Sequence, residues 1–145
     1  KRGNAPMSRD LNHTVALLED DALRWNNYAF LCRETSQYEK SWGAYKKALG
    51  HAPDDPQLLN DAAVILHYHL NRDLDEAEQM YTQAMKNADA RLAKGQQLSD
   101  KDRKRFRQAK IDAGNNLTHL RKARKAMAEA ARDAAKKNKK KSKKD

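Results

Sequence analysis

The sequence is poor in the residues that make turns and sheets: five glycines, three prolines and 6% aromatics in 145 residues. A fold of many short strands needs more breakers and more β-branched residues than this, so the composition predicts an all-α protein. Cysteine is almost absent. The single Cys32 excludes an internal disulfide, and no Cys/His set has zinc-ligand spacing, which points to a reducing compartment. Long hydrophobic runs are lacking too. No stretch approaches the roughly 20 apolar residues of a transmembrane segment, and the N-terminus has no signal-peptide core. The expectation is a cytoplasmic protein. The chain opens on Lys1 rather than Met, as an excised piece of a longer protein or a processed product would, with Met7 an internal candidate start.

Catalytic constellations are missing from the sequence. There is no glycine-rich phosphate loop, no His-Glu-x-x-His and no recognisable carboxylate pair, so the expectation is a non-enzyme with no cofactor. His67 and His69 are two apart on an expected helix and point about 200° from each other, so they cannot share a metal on one face. Cys32 lies on an apolar helix face and reads as a small buried hydrophobe.

Charge is plentiful and unevenly placed. Lys and Arg number 30 against 20 Asp and Glu, a formal charge of +10. Residues 1–95 carry 12 basic and 14 acidic side chains, and residues 96–145 carry 18 and 6, so the entire excess belongs to the last third. Residues 136–145 hold seven lysines and nothing apolar, which predicts a disordered tail.

Capping residues followed by apolar stripes mark the helices. Asp20 and Asp21 precede a helix with Leu23, Trp25, Tyr28, Ala29 and Cys32, running to about Glu34. Ser36-Gln37-Tyr38-Glu39 has capping-box spacing and opens a helix with Trp42, Tyr45, Ala48 and Leu49, ended by Gly50 and Pro53. Asp55-Pro56 is an N-cap followed by proline at the first helical position, before Leu59, Ala62, Ala63 and Leu66, with Asn71 placed to close that helix in the left-handed conformation. Asp73-Leu74-Asp75-Glu76 has the spacing of another capping box, before Ala77, Tyr81, Ala84, Met85 and Leu92. Ser99-Asp100-Lys101-Asp102 starts a long helix with Phe106, Ala109, Ala113, Leu117, Leu120, Ala123 and Met127, expected to reach about Ala135. Gly114 inside it marks a kink or a close crossing. Arg103, Arg107, Lys110, Arg121, Lys125 and Arg132 fall off the stripe and predict a basic outer face. Leu11, Val15, Leu17 and Leu18 suggest an N-terminal strap or short helix over the first hairpin.

The hairpins repeat. Trp25 to Leu59 is 34 residues, whereas Tyr45 to Tyr81 and Ala48 to Ala84 are each 36, which places a two-residue insertion near residues 69–72. A period of this size is the mark of a helical solenoid. Trp25, Tyr28, Ala29, Tyr45, Ala48 and Pro53, then Leu59, Ala62, Ala63, Leu66, Ala77, Tyr81 and Ala84, resemble the large-small pattern of the tetratricopeptide repeat (TPR) family over residues 22–89. The sequence departs from that pattern at Cys32 and Ser41, at the insertion, and in lacking a proline after the second repeat. The expected organisation is an N-terminal strap or helix (1–21), two TPR-like repeats (22–95), a capping helix (96–135) and the polybasic tail (136–145).

The resemblance implies that the first helix of each hairpin lines a concave groove for a peptide or helix of a partner protein. One step from the packed positions, Asn26, Phe30, Arg33, Asn60, Val64 and His67 are the expected groove residues. The carboxylate clamp by which some family members grip chaperone tails is not reproduced, because only Arg33 supplies a cation there. The expected role is a protein-binding scaffold with a basic tether. The alternative is a nucleic-acid- or ribosome-associated protein, with Arg121, Lys125, Arg132, Lys136, Lys137, Lys139, Lys140, Lys141, Lys143 and Lys144 attracting a polyanion without sequence preference.

Overall fold

A computed structural model describes residues 5–141, apart from the side chains of residues 5–7, 96, 140 and 141. Six helices follow one another: α1 (Ala5–Glu19), α2 (Ala22–Glu34), α3 (Tyr38–His51), α4 (Pro56–Val64), α5 (Leu74–Leu92) and α6 (Asp100–Lys141). No strand occurs among the described residues. Helices α2 and α3 pack as one hairpin and α4 and α5 as the next; α1 covers α2, while α6 lies along α5 and α4. The architecture is therefore an all-α, TPR-like helical-hairpin solenoid with a long C-terminal helix.

The large-small alternation of the sequence becomes the core. Tyr45 and Tyr81 are fully buried, surrounded by Ala29, Ala48, Ala62, Ala63, Ala77 and Ala84 where helices cross. Alanine lets two backbones approach closely while a neighbouring aromatic ring fills the remaining space. Ser41, one of the departures from the family pattern, is also fully buried. Its hydroxyl donates to the Ala29 carbonyl at 2.8 Å, so a polar atom enters the crossing with its hydrogen bond made. Cys32 is buried as expected, and burial raises its thiol pKa.

The helices start where expected, but the expected side-chain caps form at three sites and not at two. Asp21 accepts from the Arg24 amide at 2.8 Å, Asp55 accepts from the Gln57 and Leu58 amides at 3.0 Å, and Ser99 accepts from the Asp102 amide at 3.1 Å. Ser36 forms no capping box, because it is spent on the preceding helix. At φ +59 it is left-handed, the Gln37 amide donates to the Cys32 carbonyl and the Ser36 amide to Arg33, which is a Schellman ending for α2. Asp73 is left-handed as well, at φ +49, and makes no side-chain cap.

The two-residue insertion is absorbed upstream of where it was placed. Helix α4 continues directly into a π-helical segment, Ile65–Leu70, which the left-handed Asn71 closes. A π turn holds an extra residue without breaking the helix. Gly114 marks a close crossing: its backbone passes α5 where an added Cβ would sit 3.6 Å from Met85 Cε.

Two terminal expectations need correction. Segment 5–19 is a helix, but it packs through Ala16, fully buried, and through His13, whose ring stacks on Tyr28 at 4.5 Å. Leu11, Leu17 and Leu18 are exposed instead, because His13 and Ala16 are the residues that fit against the Trp25–Tyr28 edge. The apolar stripe of α6 is buried only as far as Leu120, with Ala123 and Met127 exposed. The helix itself runs six residues past the expected end, through Lys141. Alanine and lysine are good helix formers, and cations at a helix C-terminus interact favourably with its dipole. Residues 142–145 of the expected tail lie outside the described residues.

Candidate functional site

The face left open by this packing is shared by α2, α4 and α6. A cleft of about 420 Å³ is lined by Leu23 and Asn26 of α2, Gln57 and Leu58 of α4, and Lys101 and Arg105 of α6, among others. A second, of about 230 Å³, continues between α4 and α6 past Asn60, Asp61, Gln108 and Asp112. Gln57 and Arg105 line both, so the two clefts form one trough. Helix α6 therefore does more than cap the solenoid: it supplies a wall of the groove, as the first helix of a third hairpin would.

Helix α2 presents Leu23, Asn26, Phe30 and Arg33 at spacings of three and four, one face of a helix. Leu23 is 59% exposed and Phe30 45%. The Arg33 guanidinium lies 4.9 Å from the Phe30 ring centroid and pairs with Glu34 at 3.3 Å. These side chains offer apolar area flanked by groups that hydrogen-bond. On the opposite wall, Arg105 is locked to the α4 N-terminus: it donates to Asp55 at 2.6 Å and to Gln57 at 2.7 Å.

The expected residues of α4 are engaged differently. Asn60 is 6% exposed, and its carboxamide donates to Asp61 at 3.1 Å while accepting from Asn116 of α6 at 3.0 Å. Asn60, expected as a groove residue, thus has its carboxamide oxygen taken up by α6, whereas Asn26 lines the cleft. Val64 is half-buried against the core. His67 is stacked on Tyr68 at 3.9 Å, with Nδ1 3.3 Å from the Tyr81 hydroxyl of α5. Burial first, and His119 second, lower its pKa. Tyr68 in turn donates to Asn116 at 3.2 Å, so a polar seam joins the π-helical segment to α6.

Asp61 is the perturbed acid of the trough. Burial raises its pKa to about 6, reinforced by nearby Asp112 and Asp55 and opposed by the Asn60 hydrogen bond and by Arg33. No group of three or more His, Cys, Asp or Glu among the described residues could hold a metal ion. The signal that could have located this wall was the stripe Phe106, Ala109, Ala113, Leu117 and Leu120. A helix packed that way must set Arg105, Gln108 and Asp112 on an adjoining face.

The expected polyanion residues divide into two groups. Arg121 is paired with Glu78 at 2.7 Å, and its neighbour Arg124 with Asp75 at 2.6 Å and Glu78 at 2.9 Å. Lys125, Arg132, Lys136, Lys137 and Lys139 are exposed on the C-terminal part of α6. The side chains of Lys140 and Lys141, and residues Lys143 and Lys144, lie outside the described structure. No described helix is long and apolar enough to cross a membrane.

No protein-family model matches the sequence, and no curated protein matches it. Among solved structures the chain is similar to one in the crystal structure of PcrH in complex with the chaperone binding region of PopD. The TM-score is 0.66 and the identity 21%, over 85% of this chain and 82% of the chain it matches. At that identity the likeness is one of fold, and it supports the TPR-like helical repeat inferred from the residues.

Proposed function

We propose that this protein is a non-enzymatic scaffold that holds a segment of a partner protein in the trough formed by α2, α4 and α6. The observation that carries the reading is the exposed pair Leu23 and Phe30, seven residues apart on one face of α2, with Leu23 lining the cleft whose far wall is α6. Large apolar side chains left uncovered beside polar groups mark a surface that gains from being covered. The similar fold of PcrH is solved with the chaperone binding region of PopD, which lends support to a peptide-holding role.

The polar groups suit a backbone ligand. Asn26 has both a donor and an acceptor to offer, and Gln108 sits across the trough. A photo-crosslinking residue at Phe30 captures a defined partner segment in the source cell, whereas one at Thr118, exposed on α6, captures it far less. Leu23→Ser with Phe30→Ala lowers the affinity for that segment at least tenfold with helicity unchanged. Equal crosslinking at both positions, or full affinity in the double variant, overturns the reading.

A further inference from the structure

Arg121 and Arg124 pair α6 with Glu78 and Asp75 of α5. From residue 125 to residue 139 every side chain is exposed, although the helix continues to Lys141. Residues 125–141 carry seven Lys and Arg against Glu129 and Asp133. A helical rod with a cationic surface thus extends beyond the packed solenoid.

Its cations are ordered. Lys125, Arg132, Lys136 and Lys139 stand at i, i+7, i+11 and i+14, which keeps them within an arc of about 60° along about 21 Å of helix. Glu129 and Asp133 border that arc, and Lys137 stands about 100° round from Lys136. Positive charge therefore faces both flanks of one side of the rod.

Two features choose among anionic partners. After Met127 the apolar residues of this stretch are Ala128, Ala130, Ala131, Ala134 and Ala135. A helix that lies in a membrane interface needs larger apolar side chains to anchor it. The rod has a diameter of about 10–12 Å with side chains, which matches the roughly 12 Å major groove of B-form DNA. The deep, narrow major groove of A-form RNA does not admit it.

We propose that residues 122–141 of α6 bind double-stranded B-form DNA, lying in the major groove and neutralising phosphates on both walls without sequence preference. Lysine supplies charge and little base-specific geometry. Besides Arg124 the segment has eight cations, Lys122, Lys125, Arg132, Lys136, Lys137, Lys139, Lys140 and Lys141, which give a salt slope of about −7 on a log–log plot, or roughly ten-thousandfold weaker binding at 200 mM than at 50 mM salt.

The test measures binding of the full chain to a 24-base-pair DNA duplex of mixed sequence, the matching RNA duplex, and phosphatidylserine-containing vesicles across that salt range. DNA is expected to bind at least tenfold tighter than RNA, with the slope near −7. Replacing Lys125, Lys136, Lys137 and Lys139 with Gln is expected to weaken DNA binding at least tenfold at 50 mM salt and reduce the slope to about −4, while the same four changed to Arg retain both. Equal or tighter binding to RNA or vesicles, a wild-type slope near zero, or wild-type affinity in the Gln variant overturns the proposal. The wild-type slope and the DNA preference decide the matter even if the Gln variant loses helicity, which circular dichroism reads.

Discussion

Asn116 of α6 donates its side-chain amide to the Asn60 carboxamide oxygen of α4 at 3.0 Å. These residues, 56 positions apart in sequence, bring the long helix onto the groove side of the second hairpin. Asn116→Ala leaves a buried acceptor without its donor and is expected to cost about 1–3 kcal/mol. The double variant Asn60→Leu/Asn116→Ala removes both polar groups and recovers part of that loss. Chemical denaturation of the two variants and of wild type measures the recovery.

Gly114 stands inside α6 facing Met85 of α5. An added Cβ would meet Met85 at 3.6 and 3.8 Å, ordinary van der Waals contact. Glycine in a helix interior costs about 1 kcal/mol relative to alanine, so Gly114→Ala is expected to stabilise the protein by about 0.5–1 kcal/mol. A rise of a few degrees in melting temperature reports it; a fall would mean that Met85 cannot yield.

The pH dependence of Asp61 runs opposite to that of a salt-bridged carboxylate. Its pKa is raised to about 6, so the folded state holds the proton more tightly than the unfolded chain. Its contribution is most favourable below the unfolded pKa of about 4 and is lost as pH rises through about 6. Asp61→Asn keeps an acceptor for Asn60 and removes the charge. The variant is expected to exceed wild type by on the order of 1–3 kcal/mol at pH 7.5, with the gap closing by pH 4; denaturation at both pH values checks it.

His67 acts in the other direction. Its lowered pKa, caused first by burial, makes the folded state release a proton that the unfolded chain keeps. This contribution is fully present above the unfolded pKa of about 6.5 and is lost as pH falls through the folded value. Titration by NMR is expected to find the His67 pKa below the ordinary histidine value of about 6.5; a value above it would contradict the expectation.

Arg105 fastens α6 to the start of α4. Its partner Asp55 is 14% exposed at the side chain and also caps that helix. Arg105→Ala is expected to destabilise by about 1.5–3 kcal/mol, the scale of hydrogen bonds to charged groups. Lysine at this position restores less than half, because it lacks the fork that reaches Asp55 and Gln57 together. Thermal melts of the two variants separate these outcomes.

The helices and the repeat were legible in the chain because both are set by neighbours in sequence. Asp21, Asp55 and Ser99 cap helices through amides two or three residues away, and an apolar stripe needs only its own period. Ser36 and Asp73 misled for a reason of the same kind: a capping-box spacing does not say whether the first residue is already used by the helix before it. Asn26, Phe30 and Arg33 were legible as an open face of α2, whereas Asn60 and His67 were not, because another helix reaches them.

Local order by itself determined that this chain is a series of amphipathic hairpins with its positive charge at one end, since periodicity, capping and net charge belong to short segments. Only the tertiary structure decided that Leu11, Leu17 and Leu18 stay uncovered, that α6 forms a wall of the trough, and that the charged end of α6 projects beyond the body. Each of those depends on which side chains meet across helices distant in sequence, where packing volume and paired hydrogen bonds choose among faces that a periodic pattern leaves equivalent.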